Sequence, residues 1–416
     1  MRPAPADASA AYAAEVVRLL WPEPWEAPYV TRSRHRSGLP HRDAYLFPSE
    51  RRPRLLVPAD VPGSSSMLQR LCPGRSVLAR PMRSLLEHSV HSRAFALARW
   101  PMLRVPATDP GADSIETHLA DCFGTAVRVG VLLGTRRVNQ KPVLQVFDLE
   151  GRLRGYAKVG HNDLTSELVR REAVSLATVG GRNPRSFRVP RLLHHGQWVG
   201  LEVLVISALA TDPRHQVTRA ARLTAMREVL QLAGTTSPPL AESGFWTRLC
   251  RAVELLSEEP AGSRLRAAAG AIERCHGADP VSLGGWHGDW GPWNMGTGMG
   301  DGILQLWDWE RYDPEVPIGF DGLHFAAQSV RPGERDERRQ NESFLRSAPQ
   351  TLAELGVSAG QRDVTLRLYL LEIAARYVEA LTHGATPALR RRTSWVLSLL
   401  ERPPEHRQST TSKGRP

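Results

Sequence analysis

The sequence predicts an α+β protein with two lobes, a small antiparallel β lobe and a larger, mostly helical one, after an extra N-terminal region. The chain has 416 residues and is 41% apolar, which is enough to bury two or three cores. Short β-rich runs follow one another from Val127 to Val159. Apolar residues at helical spacing then dominate from about 215 to 280 and again after 325.

The first 124 residues form an accessory region whose fold the sequence leaves open. An alanine-rich helix is expected near Ala8 to Leu20, followed by Pro- and Arg-rich sequence with short apolar runs at Leu55 to Val57 and Phe95 to Ala98. A cap on the small lobe, a dimerisation element and a separate module are the three alternatives. The simplest interpretation of the region is an accessory structural domain.

The composition indicates a cytoplasmic protein. The longest apolar stretches, such as Gly200 to Leu209, are too short to span a bilayer, and the N-terminus has no signal-like apolar block. The net charge of +11 would suit a polyanion, but ten arginines fall within residues 51–104, so a nucleic-acid partner is not favoured. Four cysteines without paired or metal-like spacing are predicted to be buried small apolar residues: Cys72, Cys122, Cys250 and Cys275.

The small lobe is predicted over residues 125–209. Three runs, Val127 to Leu133, Val143 to Leu149 and Leu153 to Val159, alternate as strands do, and Glu150-Gly151 supplies a turn between the last two. An antiparallel meander follows. The next apolar run, Trp198 to Ser207, is expected to be an inner strand that ends at a hinge.

One lysine in this lobe is a marked choice, because 51 of the 54 basic residues of the chain are arginine. Lys158 lies inside a predicted strand, and a buried ammonium group needs an anionic partner. In the helix predicted over residues 164–179, Glu172 lies on the apolar stripe with Leu168 and Leu176. Glu167 is about 140° away around the helix, so Glu172 is the better partner for Lys158.

The segment 286–309 carries three oxygen-bearing side chains at close spacing. Asp289 is followed by Asn294 and, after a glycine-rich hairpin, by Asp308. Phosphoryl transfer needs oxygen ligands for Mg²⁺ beside a carboxylate that can receive the proton of the attacking hydroxyl. Asp289 is therefore the candidate base, and Asn294 and Asp308 are the candidate metal ligands.

These motifs resemble those of the aminoglycoside phosphotransferase and choline kinase-like family of small-molecule kinases, which share the protein-kinase fold. His287-Gly288-Asp289 with Asn294 is similar to the catalytic loop of the family, and Trp307-Asp308-Trp309-Glu310 is similar to its metal-binding strand end. The resemblance covers about residues 125 to 400. It implies a protein-kinase-like fold, ATP and Mg²⁺ as cofactors, and a small-molecule acceptor with a hydroxyl group.

The resemblance also implies roles for individual residues. Lys158 would bind the nucleotide phosphates and Glu172 would hold it, although a structural ion pair is the alternative. Main-chain groups at Val205, Ser207 and Leu209 would contact the adenine. His287 is expected to support the loop and Asp321 to brace its backbone. Two features each have two equally weighted interpretations. Gly130, Gly134 and the loop Thr135 to Gln140 could be a phosphate-binding loop or a plain surface turn. Glu310, Asp313 and Glu315 could face the acceptor as an acidic rim or be solvated carboxylates.

The predicted organisation is an accessory region at 1–124, the small lobe and hinge at 125–209, a helical large lobe at 210–401 and a disordered tail at 402–416. The predicted activity is ATP-dependent transfer of the γ-phosphate to a hydroxyl of an amino sugar, sugar, amino alcohol or related metabolite. A non-catalytic nucleotide-binding scaffold is the alternative. A protein kinase is disfavoured, because no Gly-rich loop or APE-type activation segment is evident.

Overall fold

The computed structural model describes residues 5–33, 40–70, 99–109, 111–134, 140–333 and 337–402. The chain divides into two units. The first comprises residues 1–183 and 189–210, and the second comprises residues 184–188 and 211–416. The predicted α+β class is confirmed: the first unit contains a large antiparallel sheet, and the described part of the second is mostly helical.

The strands of both units, numbered along the chain, are β1 (Tyr29–Thr31), β2 (His41–Phe47), β3 (Leu55–Pro58), β4 (Met102–Pro106), β5 (Val127–Leu132), β6 (Val143–Asp148), β7 (Leu153–Gly160), β8 (Phe187–Arg188), β9 (Leu192–Trp198), β10 (Leu201–Ser207), β11 (Leu283–Trp286), β12 (Met295–Thr297), β13 (Leu304–Leu306) and β14 (Asp313–Pro317). The helices are α1 (Pro5–Leu20), α2 (Ile115–Phe123), α3 (Asp163–Gly181), α4 (Arg219–Gln231), α5 (Gly244–Leu255), α6 (Gly262–His276), α7 (Phe320–Ala327), α8 (Glu337–Glu354), α9 (Arg362–His383) and α10 (Pro387–Leu400).

The described part of the N-terminal region belongs to the same sheet as the small lobe. Nine strands follow the order β1-β4-β2-β3-β5-β6-β7-β10-β9, and every neighbouring pair is antiparallel. The junction is the pairing of β3 with β5, where Leu55 faces Leu132 and Leu56 faces Val131. The apolar run predicted at Phe95 to Ala98 lies outside the described residues.

The prediction of a single strand over Trp198 to Ser207 is wrong at its N-terminal end. Trp198 ends β9, and β10 begins at Leu201. Val199 and Gly200 form the turn between them, with φ of +46° and +74°. Positive φ at both central residues matches the right-handed twist of a two-residue hairpin, so the apolar run continues through a turn. β10 is an inner strand as predicted, since it lies between β7 and β9.

Helix α3 begins with a capping box in which the Asn162 side chain accepts the Thr165 N–H and the Thr165 hydroxyl accepts the Asn162 N–H. Strand β7 lies beside this helix in the fold. Because side chains alternate along a strand, Ala157 and Val159 enter an apolar core with residues of α1 and α2. Lys158 therefore lies on the opposite face of the sheet.

The second unit has a core of its own, built from α5 to α10 and the strands β11 and β14. Trp286 at the end of β11 is buried there and packs edge-on against Phe320 of α7. Strands β12 and β13 form a hairpin, and the short β8 pairs with β13 in parallel. The glycine-rich segment after Asn294 is thus the turn of a hairpin, as predicted.

Within the described parts of the chain, no helix has the length and apolar character needed to cross a bilayer. The prediction of buried cysteines is wrong for Cys275, which is exposed, and only partly right for Cys122 and Cys250, which are half-buried. Cys72 and the predicted disordered tail after Arg402 lie outside the described residues.

Candidate active site

The segment from His287 to Asn294 is a loop that leaves the buried end of β11. The backbone N–H of His287 donates to Asp321 Oδ2 at 2.8 Å, and that of Gly288 donates to Asp321 Oδ1 at 3.3 Å. Asp321 lies in the first turn of α7. One carboxylate thus fixes two successive peptide groups immediately before Asp289, as predicted for Asp321.

Gly288 is required by the backbone at this point. Its φ is +85°, in the left-handed region, and a Cβ on this residue would lie 2.1 Å from the carbonyl oxygen of Arg311. A side chain would therefore displace the loop from the segment that contains Arg311. The glycine lets Asp289 follow directly after the buried His287.

His287 is completely buried, and its ring forms hydrogen bonds to two backbone segments. Its Nε2 contacts the carbonyl oxygen of Trp307 at 3.0 Å, so this nitrogen carries the proton and donates. Its Nδ1 then accepts the backbone N–H of Asp289 at 3.3 Å. Burial lowers the pKa of His287 to about 4, so the ring is neutral at pH 7. The supporting role predicted for His287 agrees with these contacts.

The carboxyl group of Asp321 is also buried, and burial raises its pKa to about 7. The two N–H donors from His287 and Gly288 and the nearby Arg376 act in the opposite direction. Arg376, on α9, also donates from Nη1 to the carbonyl oxygen of Gly288 at 3.2 Å and lies 4.4 Å above the ring of Trp286. Sequence reasoning missed Arg376, which is nearly ninety residues further along the chain.

Asp289 and Asn294 are in direct contact. The Asn294 Nδ2 donates to Asp289 Oδ2 at 3.0 Å and to the Asp289 carbonyl oxygen at 2.9 Å. Asn294 is buried, whereas Asp289 is partly exposed. Because the amide nitrogen is committed to Asp289, the Asn294 Oδ1 is the atom that remains to ligate a cation.

Asp308 is held next to this loop by the backbone. The N–H of Trp307 donates to the carbonyl oxygen of Asn294 at 3.1 Å, just beyond the β12–β13 pairing. Asp308 has a φ of +72°, a left-handed conformation that is uncommon outside glycine but tolerated by Asp. Such conformations cluster at functional sites, where the surrounding structure enforces them. The structure thus brings together the chain segments of Asp289, Asn294 and Asp308.

His324 also contacts Asp289 and was missed in the sequence. Its Nε2 lies 3.4 Å from Asp289 Oδ1 and 2.8 Å from the Gln328 amide nitrogen, and its Nδ1 lies 3.3 Å from the Tyr369 hydroxyl. A signal was present: His324 follows Asp321 by three residues, so both lie on the same side of α7. One short helix therefore braces the loop backbone through Asp321 and touches the Asp289 carboxylate through His324.

Lys158 and Glu172 form an ion pair in the first unit. The Lys158 Nζ lies 2.6 Å from both carboxylate oxygens of Glu172, and the two side chains are 9% and 0% exposed. Glu167 instead pairs on the helix surface with Arg170 and Arg171, as its position around α3 predicted. The helical period was sufficient to choose between the two glutamates.

The predicted adenine contacts differ in how much backbone remains available. Val205 is buried inside β10 with neighbours on both sides, and the N–H of Ser207 donates to the carbonyl oxygen of Arg191 at 2.9 Å. Leu209 follows the end of the strand and is half-buried. Of the three, Leu209 has its main chain outside the sheet.

The predicted phosphate-loop glycines are in different settings. Gly130 lies inside β5, where a Cβ would meet the Met67 sulfur at 2.0 Å, so its small size serves packing. Gly134 follows the strand with a φ of +64°. Residues 135–139 of the loop lie outside the described residues.

Two of the three acidic residues after Asp308 are held by an arginine. Arg248 of α5 lies 3.2 Å from Asp313 and 3.0 Å from Glu315. Burial raises the pKa of Asp313, with Arg248 acting against it. Glu310 is buried. The pairing with Arg248 favours a structural role for Asp313 and Glu315 over an open acidic rim.

The arrangement of a carboxylate, an amide and a second carboxylate on one loop and hairpin is typical of phosphoryl-transfer sites. No model of a protein family and no curated protein matches the sequence. The chain is similar to several solved structures, which belong to the aminoglycoside phosphotransferase and choline kinase-like family that the motifs predicted.

Three of these structures illustrate the likeness. A putative fructosamine-3-kinase from Haemophilus somnus has 14% identity and a TM-score of 0.43, with 69% of this chain and 96% of that chain covered. Choline kinase from Streptococcus pneumoniae has 14% identity and a TM-score of 0.45, with 69% and 97% covered. An aminoglycoside phosphotransferase from Streptomyces rimosus, in complex with ADP and streptomycin, has 18% identity and a TM-score of 0.37, with 58% and 90% covered.

Proposed function

We propose that this protein is an ATP-dependent small-molecule kinase that transfers the γ-phosphate to a hydroxyl group of its acceptor. The observation that carries the proposal is the Asp289 carboxylate, held by Asn294 on a loop whose backbone is bonded to Asp321 and His287. A partly exposed carboxylate on an otherwise buried and braced loop is suited to meet a substrate hydroxyl in a fixed orientation.

In the proposed reaction, the acceptor oxygen forms a bond to the γ-phosphorus while the bond from that phosphorus to the β,γ-bridging oxygen breaks, and ADP leaves. Asp289 accepts the proton of the acceptor hydroxyl and later releases it to solvent. The contact from the Asn294 Nδ2 to Asp289 Oδ2 at 3.0 Å holds one carboxylate oxygen. The other, Oδ1, lies beside His324. These contacts limit the rotation of the carboxylate and so its distance from the acceptor.

The donor set on the hairpin fits Mg²⁺. Asn294 offers a neutral amide oxygen and Asp308 an anionic carboxylate, and Mg²⁺ prefers hard oxygen ligands of this kind together with water and phosphate. When bound, the ion would supply positive charge that offsets the charge developing on the transferred group. The hydrogen bond from the Trp307 N–H to the Asn294 carbonyl oxygen supports this assignment, because it holds the two chain segments side by side.

Lys158 is proposed to bind the nucleotide phosphates, with Glu172 holding its ammonium group. Contact with both oxygens of a fully buried carboxylate fixes the position of the Lys158 ammonium group, which supports this role. Main-chain groups near Leu209, with Val205 and Ser207 as the other candidates, are proposed to receive the adenine. The purely structural ion pair is the alternative for Lys158 and Glu172.

For the acceptor, we propose an amino sugar, a sugar, an amino alcohol or a related metabolite. The experiment measures transfer of labelled phosphate from ATP, with Mg²⁺, to a panel of aminoglycosides, hexoses and amino alcohols. The wild type is expected to phosphorylate at least one of these classes. The Asp308→Asn variant is expected to lose transfer by about 100-fold or more, because the anionic ligand of the metal is removed.

The matched control is Asp301→Asn in the turn of the same hairpin. Asp301 is exposed, and its carboxylate accepts only the N–H of Ile303 among the contacts described for it. The Asp301→Asn variant should transfer phosphate at the wild-type rate. Magnesium-dependent ATP binding without transfer to any acceptor would instead support the alternative function, a nucleotide-binding scaffold. An equal loss in both variants would count against the assignment of Asp308.

A further inference from the structure

Away from the proposed active site, the first unit brings two histidines and a cysteine together. His118 and Cys122 lie one helical turn apart on α2, and His194 lies on β9. One ligand atom from each side chain can be chosen so that all three lie within 4.8 Å of one another. Imidazole nitrogen and thiolate sulfur are the ligand types preferred by Zn²⁺ and related late transition metals.

The packing of α2 against β9 accounts for this meeting. Residues His194, Gly196 and Trp198 alternate onto one face of the strand. The ring of Trp198 stacks on His118 with centroids 6.0 Å apart, and its Nε1 donates to Asp113 at 3.1 Å. The rings of His194 and His118 are in a T-shaped arrangement, with their centroids 5.3 Å apart. The helix is thus fixed over the face of β9 that carries His194.

Both histidines have a buried nitrogen that lacks a hydrogen bond. The Nε2 of His118 and the Nε2 of His194 are inaccessible to solvent and have no hydrogen-bond partner among the described residues. Buried polar side-chain atoms are normally paired, so two such nitrogens beside a thiol call for a ligand that can accept their lone pairs. The neighbouring residue on this face is Gly196. A Cβ at that position would lie 3.1 Å from His194 Nε2, so the glycine leaves the space beside this nitrogen open.

The other face of β9 shows a different arrangement. His195 alternates onto the face opposite His194, and its Nε2 lies 2.8 Å from a carboxylate oxygen of Glu202 on β10. The adjacent histidines of the strand are therefore used in two ways. His195 has a carboxylate partner, whereas the His194 ring lies beside another histidine and a cysteine.

We propose that His118, Cys122 and His194 bind one divalent late transition-metal ion, with Zn²⁺ as the reference, and that this ion ties α2 to β9. Tetrahedral Zn²⁺ with ligands at about 2.0–2.3 Å places the ligand atoms about 3.3–3.6 Å apart, so small side-chain rotations would complete the site. Three protein ligands leave the fourth position to water. Binding releases the thiol proton of Cys122 to solvent and stabilises the first unit, because the unfolded chain does not hold the three groups together.

The test uses the full chain without an affinity tag and Co²⁺ as the spectroscopic probe, followed by displacement with Zn²⁺. One Co²⁺ per chain is expected, with absorption from a cobalt–thiolate bond and an increase in the melting temperature. Zn²⁺ should remove the cobalt spectrum at one equivalent. Absence of binding by the folded wild-type chain would overturn the proposal.

Cys122→Ser and His194→Asn are each expected to weaken Co²⁺ binding by more than about 100-fold, since even residues beyond the ligands contribute about 10–100-fold. The matched controls are His195→Asn on the other face of β9 and Cys250→Ser in the second unit, which should bind as the wild type does. Circular dichroism checks that the variants are folded. His194 is half-buried, so its variant decides the outcome should Cys122→Ser not fold. Unchanged binding in His194→Asn, or equal losses in the controls, would contradict the site.

Discussion

The loop from His287 to Asn294 in the second unit and the lysine–glutamate pair of the first unit are stabilised in contrasting ways. The loop from His287 to Asn294 is held by contacts from Asp321, Trp307 and Arg376, which lie on separate segments. The pair of Lys158 and Glu172 is a buried contact between one strand and one helix. Redundant bracing tolerates the loss of one contact, whereas a buried ion pair leaves an isolated charge when either partner is removed.

The largest effect on stability is expected at the ion pair. Lys158→Met leaves the fully buried Glu172 carboxylate without its cation, and the free energy of unfolding should fall by about 3–5 kcal/mol. Chemical denaturation measures this loss. Arg171→Ala, which breaks an exposed pair with Glu167 on the same helix, should change it by less than about 1 kcal/mol.

A double variant separates stability from function at this position. Lys158→Met with Glu172→Leu replaces the pair by apolar side chains and should recover most of the stability lost in the single variant. Phosphate transfer should be lost in both the single and the double variant, because the ammonium group proposed to bind the nucleotide is gone. Recovery of transfer together with stability would mean that the pair is only structural.

A smaller effect, visible through pH, is expected in the loop. The folded pKa of His287 is about 4, below the usual 6.5, so between these pH values the unfolded chain binds more protons than the folded one. The stability from His287 is therefore complete above pH 6.5 and is lost as the pH falls towards 4. His287→Gln keeps a donor for the Trp307 carbonyl but does not titrate.

The measurement compares the unfolding free energies of wild type and His287→Gln from pH 7 to pH 4. The wild type should lose about 3 kcal/mol relative to the variant over this range, from a pKa difference of about 2.5. Asp321 has a raised pKa and contributes a slope of opposite sign in both proteins, so the difference between them is the quantity to follow. Parallel profiles for the wild type and His287→Gln would contradict the buried neutral ring.

The smallest effect is expected at His324, which touches Asp289 without belonging to the loop. His324→Gln should lower turnover about tenfold by loosening the Asp289 carboxylate, with little change in ATP binding. A loss of ATP binding with normal turnover at saturation would show that His324 does not position Asp289.

The sequence predicted those parts of the site that depend on local spacing. Asp289 and Asn294 lie in one loop, and Asp308 follows after one hairpin, so their proximity follows from short-range geometry. Glu172 was chosen over Glu167 from the helical period alone, and the structure agrees. Local periodicity was sufficient wherever the partner lay on a neighbouring element.

Contacts between distant segments could not be predicted in the same way. Arg376 reaches the loop because α9 packs in the core of the second unit, and no spacing in the sequence records that packing. The turn at Val199 was hidden because an apolar residue occupies a left-handed turn position. His118 and Cys122 meet His194 only through the packing of α2 on β9, so a scan of cysteine spacings alone did not find the cluster.

Asp289 is proposed to be the base of a phosphoryl-transfer site, so turnover and nucleotide affinity should be measured on the same preparation of Asp289→Asn. With the best acceptor of the panel, turnover should fall by about 10³-fold or more while ATP binds as in the wild type. Turnover within a few-fold of the wild type would mean that Asp289 is not the base.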